Sequence, residues 1–215
     1  RDQPRSRGLG DVYKRQTYTI DTSLITLKKQ LTVLDQQIAH LQLTRNRLAH
    51  RCEQMESVKE VHDRNQEVTV REVKQNFLLY AEVDPPRSFS EISITTKKCF
   101  AQAFKDSLPI FYQTGVIVPY KHILEGRYTE ASVAFLPIEY TKKAGNILTL
   151  PKGNAVSIYH YGTYQSVEYS YKKLLNYCRE HQLEIISDAY EFWINDYISS
   201  GDESEYITEI FFYVQ

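Results

Sequence analysis

Between Leu24 and Met55 apolar side chains recur in steps of three and four: Leu24, Leu27, Leu31, Leu34, Ile38, Leu41, then Leu48, Cys52 and Met55. Only Arg45 interrupts the series. On a helix this spacing keeps one narrow stripe facing one way, the a/d seam of a coiled coil. No Gly or Pro falls between Thr17 and Val70. A helix from about Leu24 to Val61 is therefore predicted, on the order of 55 Å long at 1.5 Å per residue. Asp21 or Ser23 is placed to cap its start. A stripe this narrow is too thin for the face of a globular core and asks for a second helix. No other segment of the chain carries a matching seam. Residues 24–61 are accordingly read as a homodimer contact, the alternative being a helix of the same chain. Arg45 within the seam would fix register or orientation at some cost in stability.

The rest of the composition narrows the class. The chain has 215 residues, 42% of them hydrophobic, enough for one sizeable core beyond the helix. Its net charge of −1 supplies no global basic field for nucleic acid. Cys52, Cys99 and Cys178 form no CxxC pair, which excludes a disulfide scaffold or cysteine zinc site and fits a reducing cytoplasm. No apolar run approaches the roughly 20 residues of a membrane helix, and no secretory segment is visible. Arg1–Gln16 (RDQPRSRGLGDVYKRQ) lacks apolar periodicity, and its DVYKRQ end is what one reading frame of a transposon-end sequencing adapter encodes. The stretch is read as an adapter scar, the alternative being a disordered basic tail. It carries a net charge of +3, so the remainder of the chain carries −4. The native gene is expected to begin upstream.

Past a polar joint at 63–66, Glu67–Val73 alternates polar and β-branched residues, which reads as a strand. Ser88 or Ser90 can cap a helix bearing Ile92, Thr96, Cys99, Phe100, Ala103, Phe104 and Leu108 on one face. Val116–Tyr120 and Ser132–Tyr140 read as strands. After a loop and the turn Pro151-Lys152-Gly153, Ala155–His160 is a strand and Gln165–His181 a helix. Glu184–Ile194 and Tyr206–Val214 are strands. The order strand, helix, strand, strand occurs twice. This predicts an α+β fold in which a duplicated unit sets two helices over one antiparallel sheet with a pseudo-twofold axis.

PKG (151–153), HYGTY (160–164), YKKLLNY (171–177), SDAYE (187–191) and EYITEIFFYV (205–214) together resemble the GyrI-like effector-binding domain of bacterial transcription activators. The resemblance covers residues 66–215 and is strongest after Pro151. A coiled-coil helix (17–62) placed directly before such a domain is similar to the MerR-type regulators. The resemblance implies a cytoplasmic regulator that binds a small lipophilic, often cationic effector and needs no cofactor. It also implies a winged helix-turn-helix, absent from this chain, that would contact promoter DNA.

The resemblance places Glu191 at the family's pocket glutamate. Its own context, IISDAYEFWI, is apolar on both sides, and Glu is rarely buried unpaired. The alternative is a solvent-facing strand edge. Trp193, the sole Trp, shares Glu191's strand face and either stacks on a ligand or packs in the core. Tyr206 matches a pocket tyrosine of the drug-sensing relatives, the alternative being a surface position. Tyr161 and Tyr164 flank Gly162 in a turn and could hydrogen-bond a ligand or simply meet water. Phe135 is the counterpart on the first-half sheet, as ligand contact or core. The first helix offers Thr95-Thr96 and no Tyr, a departure from the multidrug sensors. A carboxylate among aromatic rings suits a lipophilic cation, because burial disfavours its charge and ring faces attract positive charge.

Enzyme motifs are missing. The six His form no HxxxH or HExxH, and there is no GxSxG, P-loop or GxGxxG. Two alternatives remain: a small-molecule hydrolase in which Glu191 with Tyr161 or Tyr206 activates water, and a module that binds and inhibits a protein such as a topoisomerase.

Overall fold

The computed structural model describes residues 19–61, 67–142 and 145–215, with the side chains of 57–61 left aside. The expected scar at 1–16 and the joint at 63–66 lie outside the described residues. The chain forms two compact units, one ending at Thr44 and one spanning Arg45–Gln215.

The first unit is the leading part of helix α1 (Ile20–Val61). Its cap is neither Asp21 nor Ser23. Thr19 Oγ1 accepts from the Thr22 amide at 3.2 Å, and Thr22 Oγ1 accepts from the Thr19 amide at 3.0 Å, a reciprocal capping box one turn earlier. Leu24, Leu27, Leu31, Leu34, Ile38 and Leu41 are exposed along it.

In the second unit eight strands form one antiparallel sheet: β1 (Thr69–Val73), β2 (Asn76–Glu82), β3 (Thr114–Val118), β4 (Val133–Ile138), β5 (Ile147–Leu150), β6 (Gly153–Tyr161), β7 (Ala189–Asn195) and β8 (Ile207–Tyr213). The spatial order is β1-β6-β8-β7-β3-β4-β2-β5. Helix α2 (Phe89–Lys105) packs on β2 and β4, and α4 (Glu168–Glu180) on β6 and β8. The order is palindromic about the β3–β7 pair, so the expected duplication holds, with one strand more per repeat. β1 leads the first repeat yet pairs with β6 of the second, and β5 leads the second yet pairs with β2. β2 escapes sequence reading because its apolar residues Phe77, Leu78 and Leu79 run together, and β5 because it is only four residues long. The strand expected at Val116–Tyr120 ends at Val118. Pro119 turns the chain, and Tyr120 opens the short helix α3 (Tyr120–Leu124). The strand expected from Glu184 begins at Ala189, with only an isolated bridge from Ile185 to Val214 before it.

Strand periodicity divides the core. Val116, Val118, Ala134, Ile158, Trp193, Ile210 and Phe212 face the helices. Ile117, Phe135, Phe192, Phe211 and Tyr213 form a cluster on the other face. Gly115 permits this packing, since a Cβ there would stand 2.3 Å from the Phe135 ring and 2.4 Å from the Glu191 carbonyl oxygen. Within this unit α1 makes polar contacts through Arg47 and Arg51. Arg47 makes two bonds to Glu139 at 2.9 and 3.1 Å, and buried Arg51 donates to the Ile194 carbonyl. Ile194 lies at the bulge between Trp193 and Asn195, where the ladder leaves a carbonyl for such a donor. Among the described residues no helix is long and apolar enough to cross a membrane.

Candidate functional site

The site grows from the middle of β7. Glu191 pairs across the central ladder with Val116 and is fully buried under α4. Its Oε1 accepts from the Tyr171 hydroxyl at 2.5 Å, and its Oε2 from Trp193 Nε1 at 3.5 Å. Tyr171 reaches it from α4, whose inward face repeats Tyr171, Leu174 and Cys178. Tyr128 stacks on Tyr171 with centroids 5.6 Å apart. Burial pushes the Glu191 carboxyl up to about 7, and the bonds from Tyr171 and Trp193 only partly offset this. Near neutral pH the site therefore holds a carboxyl balanced between its neutral and charged forms.

Beside this pair opens a cavity of about 110 Å³. Aromatic rings share its wall with polar side chains. Tyr164 and Tyr197 lie edge-on to Trp193 at 5.8 and 6.3 Å, and Tyr206 also lines it. The charged lining residues among those described are Asp196 and Glu203, both acidic. Trp193 joins the two parts, since its ring lines the cavity while its Nε1 bonds Glu191. Glu191 itself does not line the cavity. The charge of Glu191 and burial both raise the Tyr164 hydroxyl far above its usual pKa, burial most.

A second set of bonds positions the Tyr164 loop. Gly162, at φ 115°, makes the turn that a side chain would strain. Its amide donates to the Tyr206 carbonyl at 3.0 Å. His160 is buried in the turn, 3.0 Å from the Thr163 carbonyl through Nε2 and 2.9 Å from Ser170 Oγ through Nδ1. The carbonyl can only accept, so Nε2 carries the proton and Nδ1 accepts from the serine. Burial lowers the His160 pKa and keeps this neutral form. Tyr164 then donates to the Thr129 carbonyl at 3.1 Å, tying the loop to the first repeat.

Residues 125–215 match the family model of the GyrI-like small molecule binding domain. This part of the chain is similar to that family. No curated protein sequence matches the chain. Among solved structures it is similar to the EcmrR C-terminal domain, with TM-score 0.58 and 19% identity over 69% of this chain and 97% of that one. EcmrR in its complex with DNA gives TM-score 0.57 and 18% identity over 88% of this chain and 71% of that one. An uncharacterized conserved protein from Listeria innocua gives 0.52 and 12%, over 74% and 98%. At these identities the likeness is one of fold.

The second unit brings four of the six sequence-derived candidates together: Glu191, Trp193, Tyr164 and Tyr206. It does not bring in the other two. Tyr161 and Phe135 occupy strand positions of opposite parity and stand on the far sheet face. Phe135 is fully buried there against Phe192 at 5.0 Å, and Tyr161 lines a separate hollow with Met55 and Ile194. Neither tyrosine proposed as Glu191's catalytic partner bonds it; Tyr171 does. Sequence reading set Tyr171 in the helix 165–181, within the motif YKKLLNY, without giving it a polar partner. A tyrosine on an apolar helix face is itself a signal, because its hydroxyl needs a bonding partner when buried. Phe89 and Tyr197 were missed outright, since neither stands in a periodic pattern. Among the described residues no group of three or more His, Cys, Asp or Glu side chains is placed to hold a metal ion.

Proposed function

We propose that this chain is the dimerising and effector-sensing part of a MerR-type transcription regulator, and that its GyrI-like domain binds a small lipophilic cation. The domain is taken to run from 66 to 215, because β1 to β3 share one sheet with the strands of the matched segment. The observation that carries the ligand class is the cavity wall: aromatic rings, acidic side chains alone among its charged residues, and a buried carboxyl one ring behind. Ring faces attract a cation by about 0.5–2 kcal/mol per good contact. A cation also relieves the cost of ionising Glu191.

The exposed seam on α1 supports a homodimer through residues 24–61, since each a/d side chain gains burial only against another helix. EcmrR, similar in fold, is seen bound to DNA. Promoter DNA would be met by a winged helix-turn-helix joined to the N-terminal end of α1. An effector would act by binding one arrangement of the dimer more tightly than another.

The test uses Trp193 as its own probe. Thr17–Gln215 is titrated with phenyltrimethylammonium and with neutral, isosteric tert-butylbenzene, in the native chain and in Glu191→Gln. The reading expects saturable quenching by the cation, weak response to the neutral compound, and about tenfold weaker cation binding in Glu191→Gln. Equal responses to both compounds would refute the cation site. Sedimentation of the native chain and of Leu34→Lys tests the dimer.

A further inference from the structure

The cavity is small for a drug-sized ligand. Its 110 Å³ falls below the roughly 300–1,000 Å³ of pockets that enclose such molecules. One side chain accounts for much of the difference. Phe89, the first residue of α2, is the one described lining residue that comes from the first repeat; the others lie between Gly162 and Thr208. Its ring centroid stands 5.4 Å from Tyr197, 5.7 Å from Tyr164 and 6.3 Å from Trp193. Rings this close touch one another and leave no gap for a guest between them. Phe89 is 37% exposed while Trp193 is 3% exposed, so Phe89 is the solvent-side member of the cluster. It sits at the mouth and covers the Trp193 face.

We propose that Phe89 sets the size of ligand the cavity admits. In the position described, its ring fills the space a bulky cation would need and leaves room for a compact one. Rotation about its Cα–Cβ bond swings the ring outward and uncovers Trp193. Phe89 opens the helix, where no preceding turn hems its side chain in. The contact also explains how the first repeat, with no ionisable group at the cavity, still acts on it. This inference rests on the cation-binding reading of the cavity.

A tetraalkylammonium series separates the two claims, since it varies size at constant charge. Binding is followed by Trp193 fluorescence in the native chain, Phe89→Ala and Phe89→Leu, each checked for an unchanged folded spectrum. In the native chain affinity should fall from tetramethylammonium to tetrabutylammonium. Phe89→Ala should bind tetrabutylammonium about tenfold tighter than the native chain and tetramethylammonium about threefold weaker, having gained room and lost one ring face. Phe89→Leu keeps the bulk without the aromatic face. It should lose tetramethylammonium affinity and still exclude the large cation. Saturable binding with the same size profile in all three chains would overturn the role of Phe89 and leave the cation site standing. Absence of binding by every member of the series and by phenyltrimethylammonium would overturn the site itself, and the role of Phe89 with it.

Discussion

The two repeats place the same elements around the β3–β7 pair and use the space beneath their helices differently. Under α2 the contacts are apolar: Leu79, Cys99, Ala103, Leu136 and Ile138 close a core. Under α4 lies the Tyr171–Glu191 pair, with an aromatic cavity beside it. The contrast is sharpest on the central ladder, where Glu191 faces Val116. The helices differ to match. Thr96 on α2 turns its hydroxyl back to the Ile92 carbonyl, while Tyr171 on α4 extends its own to the carboxylate. A scaffold that folds well with valine at one of two facing positions can carry a carboxyl at the other, provided the helix above supplies a donor. One repeat then closes an apolar core beneath its helix while the other sets a buried carboxyl beside a cavity.

Substitutions that erase this asymmetry should have the largest effects. Val116→Glu sets a second buried carboxyl opposite the first with no donor above it. It should cost about 5 kcal/mol at pH 8, measured by urea denaturation, and less at pH 5, where the carboxyls protonate. An unchanged midpoint would mean that the first repeat tolerates polar chemistry as the second does. Phe135→Ala removes a ring from the face opposite the cavity and should cost about 4 kcal/mol while leaving cation affinity intact. Loss of cation binding in a folded Phe135→Ala chain would show that the two sheet faces do not act separately.

Glu191→Gln comes next, and its sign depends on pH. The folded chain holds the Glu191 proton up to about 7, the unfolded chain only to about 4.5. Between those values the folded state binds more protons, so stability is full below the lower one and falls as pH rises through the higher. Relieving that penalty should make Glu191→Gln about 3 kcal/mol more stable than the native chain at pH 8, with the gain gone near pH 4. A pH-independent difference between the two chains would show that Glu191 does not titrate in this window. The smallest effect belongs to Tyr171→Phe, at about 1 kcal/mol for one lost bond. Because that bond lowers the Glu191 pKa, its removal should also move the pH midpoint of cation binding upward. A midpoint unmoved would break the link between the helix donor and the carboxyl.

Much of this architecture was legible in the residues. Steps of three and four from Leu24 marked α1, and alternation marked β1, because those patterns follow from backbone geometry alone. β2 was not legible. Its NFLLYAE segment shows no alternation, because Leu78 and Leu79 are both fully buried, one on each face. The site was half legible. Glu191 and Trp193 stood out as a lone carboxylate and a lone indole in an apolar strand. Phe89 did not, because nothing in its own segment says that the start of one repeat's helix meets the other repeat's cavity.

By itself, then, the sequence determined the long seamed helix, the doubled unit and the strand that holds a carboxyl. These rest on local periodicity and on the cost of placing a charge among apolar neighbours. Only the tertiary structure decided that Tyr171 is the donor, that Phe135 and Tyr161 lie on the far face, and that Phe89 covers Trp193. Those facts depend on strand register, where a shift of one residue exchanges the two faces. They depend equally on a crossover that brings together side chains 20 to 104 positions apart, and no local pattern encodes such distances.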